Sequence, residues 1–192
     1  KTVPNSVLCL GNAGARWIDL SERPENKDSA KVFVARAIGY LKHALELHPT
    51  YVNGYLNLGL AQMKQDDLDG AYVTWKKAQK LYPSNPFLQS YFPYLAVSYM
   101  NKGVLAGQKG NMDEATKYLE KAAECNPNSY DVWYNYGGIY FTKGDWEKAK
   151  IGFENSLKLD PNSENAKQGL RAVQERTGTS TTVAPATAPI LK

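Results

Sequence analysis

Apolar and small side chains recur along this chain at spacings of three and four, and proline cuts the runs at regular points. Between residues 130 and 163, Trp133, Tyr136, Gly137 and Tyr140 share one face of a predicted helix, and Ala149, Phe153 and Ser156 share one face of a second. Gly144 and Asp145 separate the two. Glycine tolerates the positive φ of a helix end, and aspartate can cap the free N–H groups of the next helix. Pro161 stops the second helix because it has no N–H to continue the ladder. The unit is a helical hairpin. The prolines that end apolar stretches, Pro4, Pro49, Pro83, Pro127 and Pro161, are 45, 34, 44 and 34 residues apart, so the hairpin repeats, with two copies lengthened by 11 and 10 residues.

Residues 52–85 repeat the pattern through Tyr55, Leu58, Gly59, Ala71, Trp75, Ala78 and Pro83, with Gln62 where the last copy has Tyr140. Residues 7–51 carry Leu10, Gly14 and Trp17, then Ala37, Leu41, Ala44 and Pro49. The 11 extra residues lie between, around "SERPENKDSAK", with Pro24 in the turn region. Residues 86–129 admit two registers for the first helix, Phe92-Leu95-Ala96-Tyr99 or Tyr99-Gly103-Ala106, before Ala115, Leu119 and Ala122. The earlier register matches more positions and is the expectation, with 3 extra residues before the helix and 7 after Tyr99. Insertions of 7 and 11 are close to two and three helical turns, so lengthened helices would keep their apolar face in phase.

After Pro161, "SENAKQGLRAVQER" reads as one more helix with Ala166, Leu170 and Val173 inward, a cap over the last hairpin. The predicted fold is all-α: four hairpins (7–51, 52–85, 86–129 and 130–163) and a capping helix at 163–176 within a domain at 5–176, and no strand. Residues 177–192, rich in Thr, Ala and Pro, have no helical period and read as a flexible tail. Part of 183–191 is expected to lie extended on the repeat surface of a neighbouring molecule, giving self-association through the tail, with Pro185 and Pro189 limiting the entropy lost on docking.

Trp133, Gly137, Tyr140, Ala149, Phe153 and Pro161 resemble the tetratricopeptide repeat signature W-x2-L-G-x2-Y, A-x3-F, P, with Tyr136 departing from its Leu. The resemblance implies an α-α superhelix of antiparallel helix pairs whose first helices line a concave groove. It specifies architecture more sharply than function.

Composition narrows the function classes. A net charge of +4 in 192 residues is dispersed among acidic neighbours, as in "DWEKAK", which is a solvated face and no nucleic-acid footprint. No run approaches the roughly 18 apolar residues of a membrane span, so no membrane insertion by this chain is expected. The chain shows no signal peptide, and its start at Lys1 is expected of a processed or excised piece of a longer protein. The cellular compartment is left open between extracytoplasmic and cytoplasmic. Cys9 and Cys125 sit in apolar stretches and read as buried thiols. His43 and His48 read as solvent-facing or capping. No CxxC, HExxH or GxxxxGK[ST] occurs, and "QDDLDG" lacks EF-hand spacing, so it reads as an acidic helix start. No catalytic residue, metal or cofactor is expected, and the chain reads as a non-enzyme.

A binding surface is the expectation instead. Asn12, Asn57 and Asn135 occupy one position of the first helix in hairpins one, two and four, and Asn101 sits where the third could contribute. The resemblance places that position in the groove, and a carboxamide offers a donor and an acceptor to one peptide unit. Family members that clamp an acidic C-terminus use Lys and Arg on the groove helices. The third hairpin here has Ser90 and Tyr94, or Val97 and Asn101, and Tyr55, Met100, Tyr134 and Phe141 suggest apolar and aromatic contacts. The leading expectation is a protein-interaction scaffold holding an extended peptide or protein segment. The opening "TVPNS", the long first hairpin and "YLKHALELHPTYVNGYLNLG" are also similar to the tetratricopeptide tail of bacterial transmembrane O-mannosyltransferase-like proteins. That implies an accessory domain recognising acceptor polypeptide for a membrane-bound glycosyltransferase, while a self-assembly module is the third alternative. Asn57→Ala combined with Asn135→Ala is expected to weaken peptide capture and leave the melting temperature nearly unchanged, as binding assays and thermal unfolding would show.

Overall fold

The structure is a computed structural model that describes residues 6–178. The segment 183–191, expected on a neighbouring molecule, lies outside the described residues. The helices are α1 (Val7–Glu22), α2 (Ala30–Leu47), α3 (Val52–Lys64), α4 (Leu68–Leu81), α5 (Pro86–Gln108), α6 (Met112–Cys125), α7 (Tyr130–Lys143), α8 (Trp146–Leu159) and α9 (Glu164–Thr177), with a 3-10 segment at Pro24–Ser29. No strand occurs among the described residues. The all-α fold of paired helices closed by a terminal helix is thus as the periodicity predicts. Two compact units are present, the first through Tyr91 and the second from Phe92, so α5 begins in one and ends in the other.

In the first unit, α1 pairs with α2 and α3 with α4, around a core of Ile18, Val34, Ala37, Leu41, Leu58 and Ala61. The hairpins close because the first helix lacks a Cβ where the second presents a large side chain. A Cβ at Gly14 would stand 2.5 Å from Leu41 Cγ, and one at Gly59 would stand 2.7 Å from Trp75 Cδ1. Trp75 is fully buried, and its indole N–H donates to the Leu56 carbonyl at 3.2 Å. The expected long first hairpin is present: α1 and α2 have 16 and 18 residues against 13 and 14 in α3 and α4. Pro24 opens the 3-10 segment that joins them.

In the second unit, Gly137 faces Phe153 in the same way, with a Cβ 2.9 Å from the ring. Phe153 is fully buried and also fills the space left by Gly169 of α9, so one ring ties three helices together. Gly103 faces Leu119 at 2.9 Å, with the same sequence separation as Gly59 from Trp75 and Gly137 from Phe153. This overturns the expected register of the third hairpin. Tyr99-Gly103-Ala106 is the signature, and all the extra length lies N-terminal to it as the opening turns of α5. Phe92, Leu95 and Ala96 are buried as well, because an insertion of about three turns preserves the apolar phase.

The turns follow the predicted chemistry. Gly144 ends α7 at φ 84°, and Asp145 accepts the Lys148 amide at 3.1 Å to cap α8. Asp67 of "QDDLDG" caps α4 through the Gly70 amide at 2.9 Å, so that acidic run serves the helix start. In α9, Ala166 and Val173 are buried and Leu170 is half-buried. Cys125 is buried as expected, but Cys9 is exposed, since it falls one position off the inward stripe of Leu10, Gly14 and Ile18.

Gly152 lies against backbone and cannot be accommodated by a side-chain shift: its Cβ would stand 2.5 Å from Gly137 Cα and 2.9 Å from the Trp133 carbonyl oxygen. Gly152→Ala is expected to cost about 3 kcal/mol, the upper end of overpacking. Gly39→Ala, in open space on α2, should stabilise by about 1 kcal/mol through helix propensity alone. Denaturant unfolding of the two variants distinguishes close packing from propensity.

Candidate functional site

Charge is unevenly divided between the two helices of each hairpin. α3 has no charged side chain before Lys64, α5 none before Lys102, and α7 none between Asp131 and Lys143. In α1, the charges Arg16, Asp19 and Glu22 lie in the C-terminal half. The second helices carry theirs throughout, as with Lys117, Glu120, Lys121 and Glu124 of α6. The first helices thus offer a mostly uncharged face.

Asn12, Asn57, Asn101 and Asn135 each precede the close-packed glycine of their helix by two residues: Gly14, Gly59, Gly103 and Gly137. The register set by Gly103 therefore puts Asn101 in the same structural position as the other three. Their surroundings differ. Asn12 is exposed and Asn57 half-buried, and both line a cleft of about 220 Å³ in the first unit. Asn101 is exposed on α5. Asn135 is only 2% exposed, and its amide donates to the Asp131 carbonyl at 2.8 Å and approaches Met100 Sδ at 3.7 Å. Its carbonyl oxygen is buried without a protein partner. Met100 and Asn135 are thus brought together, with the half-buried thioether against the amide.

Three aromatic residues expected to contact a ligand belong to the core instead. Tyr55 is 3% exposed and donates to the Pro49 carbonyl at 2.8 Å, bracing the preceding turn. Tyr134 stacks on Tyr130 and leans on Phe153. Phe141 packs edge-on against Trp146 at 5.3 Å between ring centroids. Each is large and apolar on a tightly packed helix, so burial between helices stabilises it more than solvent contact would.

The sequence reading missed Tyr51, Asn53, Phe87 and Tyr91, which line the first unit's cleft beside Asn12 and Asn57. Tyr51 rests between two glycines. A Cβ at Gly11 would stand 2.7 Å from its Cε1, and one at Gly54 would stand 2.7 Å from its Cδ1. Neither glycine occupies a signature position, and that was the available signal. Tyr91 stacks on Trp75 at 4.8 Å between centroids, and burial pushes its hydroxyl pKa up. Phe87 is 58% exposed at the start of α5.

One titratable cluster in the second unit joins three helices. Tyr140 of α7 donates to Glu120 Oε1 of α6 at 2.6 Å, and Lys148 Nζ of α8 reaches Glu120 at 2.9 Å and the Tyr140 oxygen at 3.1 Å. Hydrogen bonds from Tyr140 and then Lys148 hold the Glu120 carboxyl below the ordinary range. Burial, then the bond to Glu120, pushes Tyr140 up, and the bond to Glu120 raises Lys148. These shifts favour the ion pair and the neutral phenol at neutral pH, which is a clamp and not a poised acid or base. Among the described residues no group of three or more His, Cys, Asp and Glu could hold a metal ion. No described helix is long and apolar enough to cross a membrane.

Repeated helical hairpins, each closed by a small residue on one helix and a large one on the next, define a helical-repeat protein. The chain belongs to the tetratricopeptide repeat family, whose profiles match residues 54–85 and 108–173. It is 29% identical over 116 residues to protein O-mannosyl-transferase TMTC1 of Homo sapiens, covering 60% of this chain and 12% of that protein. Against protein O-mannosyl-transferase TMTC3 of Homo sapiens it is 25% identical over 180 residues, covering 91% of this chain and 19% of that protein. The chain therefore spans less than a fifth of the length of these relatives. A solved tetratricopeptide repeats protein from Bacteroides fragilis shares the fold with a TM-score of 0.56 at 15% identity, covering 88% of this chain and 91% of that one.

The clamp has a pH signature. Glu120 has a depressed pKa, so its contribution is present above the ordinary carboxylate range and is lost as pH falls through its folded-state value. Tyr140→Phe is expected to cost about 1 kcal/mol at neutral pH, the size of one net hydrogen bond moderated by the exposure of Glu120. The difference from the parent should shrink in acid, as urea unfolding at neutral and acidic pH would show.

Proposed function

We propose that this chain is a non-catalytic scaffold binding an extended peptide or protein segment along the first-helix faces of its hairpins. The carrying observation is the asparagine two residues before the close-packed glycine in all four hairpins, on helices nearly devoid of charge. The carboxamides of Asn12, Asn57 and Asn101, which are exposed or half-buried, can each pair with the N–H and C=O of one peptide unit, holding a backbone without demanding a particular side chain, whereas Asn135 is buried. The first unit's cleft supports this most directly, because Asn12 and Asn57 both reach it.

A second reading rests on the likeness of nearly the whole chain to the O-mannosyl-transferase of Homo sapiens noted above. In it, this domain recognises acceptor polypeptide for a membrane-bound glycosyltransferase whose chemistry is carried out elsewhere. Membrane spans encoded upstream of Lys1 in the full-length gene support it, and their absence sinks it.

Asn135 is unsuited to separating binding from folding, because its amide is buried and bonded. Asn12→Ala with Asn57→Ala is the cleaner pair. The double variant should lose capture of peptides on a random-sequence array by about tenfold, the loss of roughly one good hydrogen-bonding contact, with an unchanged melting temperature. A lowered melting temperature with capture intact would assign the amides to the fold.

A further inference from the structure

We propose that the first unit's cleft is a subsite for an uncharged, proline-bearing extended peptide, with Tyr51, Phe87 and Tyr91 as its ring faces and Asn12, Asn53 and Asn57 as its backbone contacts. This rests on the peptide-binding function proposed above and names the ligand class. The cleft, at about 220 Å³, is smaller than the roughly 300–1,000 Å³ that encloses a small-molecule ligand, so it reads a short stretch of chain.

The lining decides the mode of recognition. Strand addition needs a sheet edge, and the described residues contain no strand. An amphipathic helix needs an apolar groove, whereas three carboxamides face this one. Acidic or phosphorylated motifs need a cluster of Arg or Lys, and the lining contains no acidic or basic residue. What fits is a polyproline-II segment, whose solvated backbone has N–H and C=O groups free for amides and whose proline rings lie flat on aromatic faces. Its restricted φ angles also reduce the entropy lost on docking.

The rings are held in place by features outside the repeat signature. Gly11 and Gly54 omit the two Cβ atoms that would displace Tyr51. The stack on Trp75 orients Tyr91. The opening turns of α5, absent from a hairpin of the ordinary period, bring Phe87 to the cleft and leave it 58% exposed. An exposed phenylalanine beside amides on an uncharged surface is suited to a flat apolar ring.

The test is fluorescence anisotropy of the full chain with labelled peptides of repeated Ala-Pro-Thr, Ala-Gly-Thr and Ala-Pro-Glu. Saturable binding of Ala-Pro-Thr is expected, about tenfold tighter than either other peptide. Phe87→Ala should weaken it by roughly five- to tenfold, the worth of one aromatic contact, with the melting temperature unchanged. Equal binding of the proline and glycine peptides overturns the proposal, and so does tighter binding of the glutamate peptide. If either result comes with loss of binding in the Asn12→Ala, Asn57→Ala variant, the peptide-binding function itself stands. Failure of all three peptides, with self-association in light scattering that is abolished by deleting residues 179–192, overturns the proposal in favour of a second copy of this chain. Failure of all three, with no capture on the random-sequence array, overturns both.

Discussion

The missing Cβ on each first helix is the constraint from which the rest follows. Gly14, Gly59, Gly103 and Gly137 let Leu41, Trp75, Leu119 and Phe153 seat against the helix backbone, and a hairpin cannot close at this distance with a side chain in between. The contact also fixes rotation about the helix axis. At about 100° per residue, a position two before the glycine is turned roughly 200° away, onto the face opposite the partner helix. Asparagine occupies that position in all four hairpins, so the packing that closes each hairpin also directs its amide away from the partner helix.

What covers that opposite face differs between the units. In the first, Asn12 and Asn57 reach a cleft. In the second, the Met100 thioether lies against Asn135, and the amide turns to the Asp131 carbonyl of its own helix. The same residue at the same repeat position is thus a surface group in one place and part of the interior in another. Charge is arranged to suit this. Ionised groups on the second helices form contacts such as the Glu120 clamp, while α3, α5 and α7 carry few charges between their ends and little of the desolvation cost.

The periodicity, the proline spacing and the turn residues were sufficient for an all-α repeat, because each is a local property. Gly144 and Asp145 end one helix and start the next with little help from the remainder of the chain. The third hairpin was misregistered because the extra residues at the start of α5 make about three turns. Phe92 and Leu95 therefore remain on the apolar face and imitate the signature. Only the residue opposite Leu119 distinguishes the registers, and it lies on another helix.

The cleft divides in the same way. Two of its amides, Asn12 and Asn57, were legible as a recurring asparagine and Asn53 was not, whereas Tyr55, Tyr134 and Phe141 were misassigned because an aromatic residue on a first helix can face core or solvent at nearly the same sequence position. Sequence by itself determined that this chain is a tetratricopeptide array with an asparagine recurring at one position of its hairpins, since those properties depend on spacing along the chain. Tertiary structure decided which rings line the cleft. The seating of Tyr51 between Gly11 and Gly54, and the approach of Phe87 and Tyr91, depend on contacts between residues far apart in sequence.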